Sequence, residues 1–426
     1  LAAPTPTFGD YDRATALRTW QVAGMSLAAG GVAVTRGPGA VAAVVALSPM
    51  VWAFGRLHRH APTASSTSDL IGKVLGVRAG VFVGLLQLVG YLLLAVGFSR
   101  NIGLGGALLL VHDAESVTGS WWWPVCAVAA AIVAAALIYV CRVRLIVSIA
   151  AVLAAAGVLV YFYVGLSAIA RVATGAAPHP TGGVAPETGL GTSTLLIVLG
   201  LTLLGFEAVT TLNARMSSVS RPIGAAMAVI ALGAVTGWLA VALAYHTALV
   251  FDPKQMVLLA SDLFADAGGI WLVASSVALG SAALLAITLA GVRVASRLTQ
   301  QISQQSRVRT VTVGFAAMTA ILAVITTRVW GDAGYAFSYV GPLALMALYV
   351  IAAEANSRLP GSSDAAMVLR FWMPAVGLFV VLVPLRYHEF DAASLWAISL
   401  SAAIGVVAAL VAFTLPVDRN QTPQPT

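Results

Sequence analysis

Glu207 is a carboxyl inside an apolar run. It follows Gly205-Phe206 in the stretch Thr192–Leu212. A carboxyl deep in a hydrocarbon layer is costly unless it is paired or solvated. A glycine two positions earlier weakens a helix at that point. Together Gly205, Phe206 and Glu207 read as a break in a helix that lines a polar cavity, with Glu207 in coupling or gating. A structural reading competes: the carboxyl bonds backbone groups near a helix end. The sequence leaves both open.

A second interruption lies in Ala16–Thr35, where Gly24-Met25-Ser26 and Gly30-Gly31 punctuate apolar residues. Freed N–H groups at a half-helix N-terminus can hold a carboxylate. The plainer reading is close helix packing through small residues. Gln87 and Tyr91 are one helical turn apart and share a face. Ser275, Ser276 and Ser281 form another polar group, and Ser338-Tyr339 precede Gly341-Pro342. Each offers a contact to a small ligand or ion, or a hydrogen bond between helices. Tyr161-Phe162-Tyr163 and His246 read as packing and boundary residues. His58 and His60 flank Arg59 without acidic or cysteine neighbours, so no metal centre is expected. No glycine-rich phosphate loop with its lysine occurs, so neither ATP-driven work nor a cofactor is expected. No enzyme motif is found.

The elements that must carry these residues follow from composition. Of 426 residues, 9% are charged and 60% hydrophobic. The mean hydropathy is +0.93. Soluble domains carry about 25% charged residues. A chain this apolar cannot cover a soluble surface. The 23 Lys and Arg residues are scattered singly, so the net charge of +7 makes no nucleic-acid footprint. The two cysteines, Cys126 and Cys141, lie in apolar runs and imply no disulfide framework.

A membrane-spanning helix needs about 20 apolar residues. Twelve spans are predicted: Ala16–Thr35, Ala40–Leu57, Gly80–Ile102, Trp121–Cys141, Leu145–Ile169, Thr192–Leu212, Ile223–Leu249, Ile270–Gly291, Thr310–Thr327, Tyr335–Ala353, Val368–Leu385 and Ala392–Leu415. Ser48-Pro49 interrupts the second, the weakest of the twelve. With the N-terminus inside, 17 of the 23 basic residues fall in inner segments and six in outer ones. That asymmetry is the positive-inside signature. Of the 16 acidic residues, Glu207 alone falls within a span, and no Lys or Arg falls near a span's centre. The domain expectation is a cytoplasmic tail at 1–15, one membrane domain at 16–415 and a cytoplasmic tail at 416–426. The first residues lack the charged-then-apolar order of a signal peptide.

At this point the sequence resembles a family. Leu203-Leu204-Gly205-Phe206-Glu207-Ala208-Val209 is similar to the helix-six signature of amino acid–polyamine–organocation permeases. Ser220-Arg221-Pro222-Ile223 resembles the basic, proline-containing loop into their helix seven. Gly37-Pro38-Gly39-Ala40 resembles the turn that opens helix two. Gly291-Val292-Arg293-Val294-Ala295-Ser296-Arg297 resembles the end of helix eight, and Arg142-Val143-Arg144 fits the loop before helix five. The resemblance covers about Arg18 to Ala353.

It implies an all-α polytopic membrane protein of the leucine-transporter type. Helices 1–5 (about 16–169) and 6–10 (about 192–353) would form a five-plus-five inverted repeat. Helices one and six would be broken, and two extra helices (about 368–415) would follow. Carried over residue by residue, it implies substrate contacts at Gly24, Met25 and Ser26, with Gly30-Gly31 as a rival register for the break. On helix six it implies Leu204, Gly205, Phe206 and Glu207, with Phe206 as a gate. Gln87, Tyr91, Ser275 and Ser338 complete the candidate set. Three departures stand out. Asn213-Ala214-Arg215 occupies the place of an acidic pair. No Lys or Arg lies between Arg144 and Arg171, where some proton-coupled relatives carry a lysine. Ser26 stands where glycine is common.

The implied function is secondary transport of amino acids or related small amines across the cytoplasmic membrane by alternating access, coupled to H+ or Na+. The expected partners are that small-molecule substrate and the lipid bilayer, not nucleic acid. Two rivals remain. One is a monovalent-ion uptake protein on the same scaffold, using carbonyls and serines. The other is a degenerate permease acting as a sensor.

Overall fold

The computed structural model describes residues 17–62, 64, 66–111, 119–175, 205–216, 218–245, 266–303, 308–328, 333–361, 363–387 and 392–414. Both expected tails, Leu204 with the first part of the predicted sixth span, and His246 lie outside them.

Among the described residues every regular element is a helix. In chain order they are α1 (Thr19–Gly30), a 3-10 segment (Gly31–Arg36), α2 (Pro38–His60), α3 (Thr67–Leu75), α4 (Val77–Val111), α5 (Trp122–Val140) and α6 (Val143–Ala173). Then come a second 3-10 segment (Phe206–Arg215), α7 (Ser220–Tyr245), α8 (Asp266–Ser303), α9 (Val308–Arg328), α10 (Ala333–Ser357), α11 (Asp364–Tyr387) and α12 (Ala392–Thr414). Nine of these helices are long and apolar enough to cross a membrane, and Ser399–Thr414 is a shorter apolar one. The protein is a multi-pass membrane protein.

Local chemistry explains several boundaries. Gly37 takes a φ of 51° and Pro38 opens α2 at its first position. Proline suits that place because its missing N–H has no helical partner there. Pro49 does not break α2, although it deprives the Val45 carbonyl of its usual donor. The Ser48 hydroxyl donates to that same carbonyl at 3.1 Å, and the helix runs on to His60. The Ser-Pro pair that weakened the prediction therefore repairs itself. α3 is a short helix between the second and third predicted spans. Its cap is Ser66, whose hydroxyl accepts from the Asp69 N–H at 3.2 Å.

α4 is central and packs against α3, α5, α8, α9, α10 and α12. It outruns its predicted end at Ile102 and reaches Val111, so Arg100 lies inside the helix and not at its end. That arginine is buried, 5.4 Å from the Trp123 ring centre, and its carbonyl accepts from the Trp123 indole at 3.0 Å. Most residues of α5, α9 and α11 are not buried, and Ile132, Val133, Ile321, Phe371 and Leu378 are exposed. Without lipid this surface would be a large apolar patch.

Candidate functional site

The interruption in the first span falls at Gly30-Gly31. Gly24, Met25 and Ser26 lie inside the unbroken α1. The backbone then tightens to 3-10 over Gly31–Arg36 and turns at Gly37. Gly24 has a packing reason to be glycine. A Cβ there would stand 2.2 Å from the Ala151 Cβ of α6. The rival register named above is thus where the helix changes, and the earlier glycine serves a helix crossing. Met25 and Ser26 are fully buried, and among the described residues the Ser26 hydroxyl meets no hydrogen-bond partner.

The segment that begins at Gly205 meets this first interruption. Gly205 lies where a Cβ would come 3.7 Å from the Ala29 carbonyl oxygen, one residue before Gly30. It would also stand 3.2 Å from Cδ1 of Ile287 on α8 and 3.9 Å from Cδ1 of Leu94 on α4. From Phe206 the chain is a 3-10 segment ten residues long, and Leu212 leaves helical geometry at φ −106°, ψ 16°. Two short 3-10 runs therefore meet at a kink, and such a break marks strain or a hinge.

Glu207 has no solvent exposure. The Tyr349 hydroxyl of α10 donates to its Oε2. The Tyr91 hydroxyl of α4 is in electrostatic contact with the same carboxyl. Nε2 of Gln87 donates to the Tyr91 oxygen at 3.2 Å, which leaves the Tyr91 proton free to turn toward Glu207. Among the described residues Oε1 of Glu207 and Oε1 of Gln87 meet no hydrogen-bond partner. A buried polar atom in this state carries its full desolvation cost. Three rings enclose the carboxyl's neighbourhood. Phe206 and Tyr349 stack with centres 5.6 Å apart and planes 13° apart. Phe54 of α2 meets both edge-on, at 6.2 and 6.3 Å.

The far half of the segment is tied to α3, to α8 and to the chain just before α1. Thr210 donates its hydroxyl to the Glu207 carbonyl and pairs with the Thr67 hydroxyl at the start of α3. Nε of Arg293 on α8 donates to the Thr211 carbonyl at 3.1 Å. The Leu17 N–H donates to the Arg215 carbonyl at 3.0 Å. Among the described residues no three His, Cys, Asp or Glu side chains converge as metal ligands would.

Of the sequence candidates, Gly205, Phe206, Glu207, Gln87 and Tyr91 come together here. Ser275 does not join them: its hydroxyl donates at 2.7 Å to the Gly157 carbonyl and fastens α8 to α6. Ser338 lies on α10 with its side chain outside the described set. Sequence reasoning missed Tyr349, Phe54, Thr67, Thr210 and Arg293. Tyr349 carried the same signal that picked out Tyr91, a phenol inside an apolar span. Phe54 carried none, because one phenylalanine in an apolar helix looks like any other. Neither a family model nor a curated protein matches this chain.

Proposed function

We propose that the protein is a secondary active transporter resembling the amino acid–polyamine–organocation permeases. It moves amino acids or related small amines across the cytoplasmic membrane by alternating access, with both chain ends on the cytoplasmic side. In this reading the predicted twelve spans form the five-plus-five repeat with two added helices. The observation that supports it is the meeting of the helix change at Gly30-Gly31 with the 3-10 segment that follows Gly205, beside a fully buried carboxyl. Breaks in corresponding helices of two halves are the arrangement transporters use to bind a solute at the bilayer centre.

The roles follow from position. Backbone groups freed at the two breaks take the polar ends of the solute. Phe206, Tyr349 and Phe54 close the way from Gly205 toward Arg215, with Glu207 bonded into that closure. Exchange of a proton or a cation at Glu207 releases the closure and couples the ion to the solute. The test is uptake of labelled amino acids and amines into proteoliposomes with an imposed proton or sodium gradient. Concentrative uptake is expected, and Glu207→Gln is expected to uncouple it from the gradient. Wild-type rate and pH dependence in Glu207→Gln would remove Glu207 from the mechanism.

A further inference from the structure

α3 rides on α4. The chain turns between them at Gly76, with φ 99°. The two helices then touch backbone to backbone: a Cβ on Gly80 would lie 2.9 Å from the Gly72 Cα and 2.8 Å from the Ser68 carbonyl. Contact that close leaves no room for α3 to slide on α4. The start of α3 also reaches the segment that carries Glu207. Thr67 and Thr210 are both buried, at 0% and 1% exposure, and their hydroxyls pair across 143 positions of sequence.

The direction of that bond is fixed by its neighbours. The Thr210 proton goes to the Glu207 carbonyl, so Thr67 is the donor and the Thr210 oxygen the acceptor. A two-bond chain therefore runs from α3 through Thr210 into the backbone of Glu207. The bond lies in a low-dielectric interior, where such a bond is strong.

We infer that the Thr67–Thr210 hydroxyl pair is a latch. It holds the Glu207 segment against the α3–α4 unit while the way toward α3 is closed, and it parts when that way opens. The inference rests on the alternating-access reading. Thr67 and Thr210 are positioning residues, acting on Glu207 through its backbone.

The experiment reads opening without reading transport. Cys126 and Cys141, both free, are replaced by serine, and Ala352→Cys is introduced as a reporter. Ala352 is fully buried, one turn from Tyr349 on the same face of α10. Its reaction with a maleimide is timed in detergent-purified protein. Thr67→Val and Thr210→Val are each expected to speed labelling roughly fivefold, the shift that one lost hydrogen bond gives. The double valine variant is expected to match Thr210→Val, because Thr67→Val removes only a bond that Thr210→Val already removes, whereas Thr210→Val also removes the bond to the Glu207 carbonyl. Thr67→Ser, which keeps the hydroxyl, is expected to label at the parent rate. Labelling unchanged in both valine variants overturns the latch, and so do additive single effects or a reporter silent in every variant. Should the labelling pattern appear while proteoliposomes take up no solute, the latch stands and the transport reading falls.

Discussion

The Tyr349 hydroxyl donates to the Glu207 carboxyl across 142 positions of sequence, and the two side chains share a site with no water-facing edge. The same tyrosine lies flat against Phe206, the neighbour of that glutamate. One residue of α10 therefore holds both the charge-bearing group and the ring that covers it. A movement of α10 at this tyrosine would change both contacts at once.

Tyr349→Phe separates them. The stack on Phe206 remains and the hydrogen bond goes. A bond to a buried carboxyl is worth about 2 kcal/mol, so unfolding in detergent should shift down by that amount. Uptake should fall as well, with the loss in maximal rate larger than in apparent affinity. An unshifted melting curve would show that the carboxyl does not depend on this hydroxyl.

Two glycines should respond in opposite directions. Gly24→Ala drives a methyl into Ala151 and should destabilise the fold by about 1–3 kcal/mol. Gly314 on α9 has nothing within 4 Å of its Cβ position, so Gly314→Ala should stabilise by up to about 1 kcal/mol through helix propensity. Chemical unfolding of both variants checks the pair. Weakened ligand binding in Gly24→Ala at unchanged stability would return that glycine to the binding site.

Ser275→Ala removes the bond from α8 to the Gly157 carbonyl. Interhelical hydrogen bonds in membranes average about 0.6 kcal/mol, and a loss of that size is expected. The apparent KM for any transported solute should stay the same. A raised KM with unchanged stability would mean that Ser275 touches the solute.

Much of this was legible in the sequence, because the bilayer writes simple rules. Apolar length and the placement of 23 basic residues gave spans whose ends lie close to those of α2, α5, α9 and α12. Gly205-Phe206-Glu207 stood out because a carboxyl is rare among apolar neighbours. Gln87 and Tyr91 stood out because one turn separates them. The place of the first break was ambiguous, since Gly24 and Gly30 look alike until Ala151 is seen beside one of them. Tyr349, Thr67 and Thr210 were beyond reach for another reason. Periodicity says which residues share a face, but not which helix that face meets. The end of the third span was not legible either, because hydropathy falls at Arg100 while α4 carries that residue onward beneath Trp123.

The winding of Phe206–Arg215 carries a mechanical meaning. A 3-10 helix rises about 2.0 Å per residue and an α-helix 1.5 Å. The run from Glu207 stops at the Leu212 kink, and its last residue, Thr211, is held by Arg293. Over the steps from Glu207 to Thr211, rewinding to α would shorten the chain by about 2 Å. A change of that size is enough to make or break a hydrogen bond at the carboxyl, so helical pitch is itself a means of changing the contacts of Glu207.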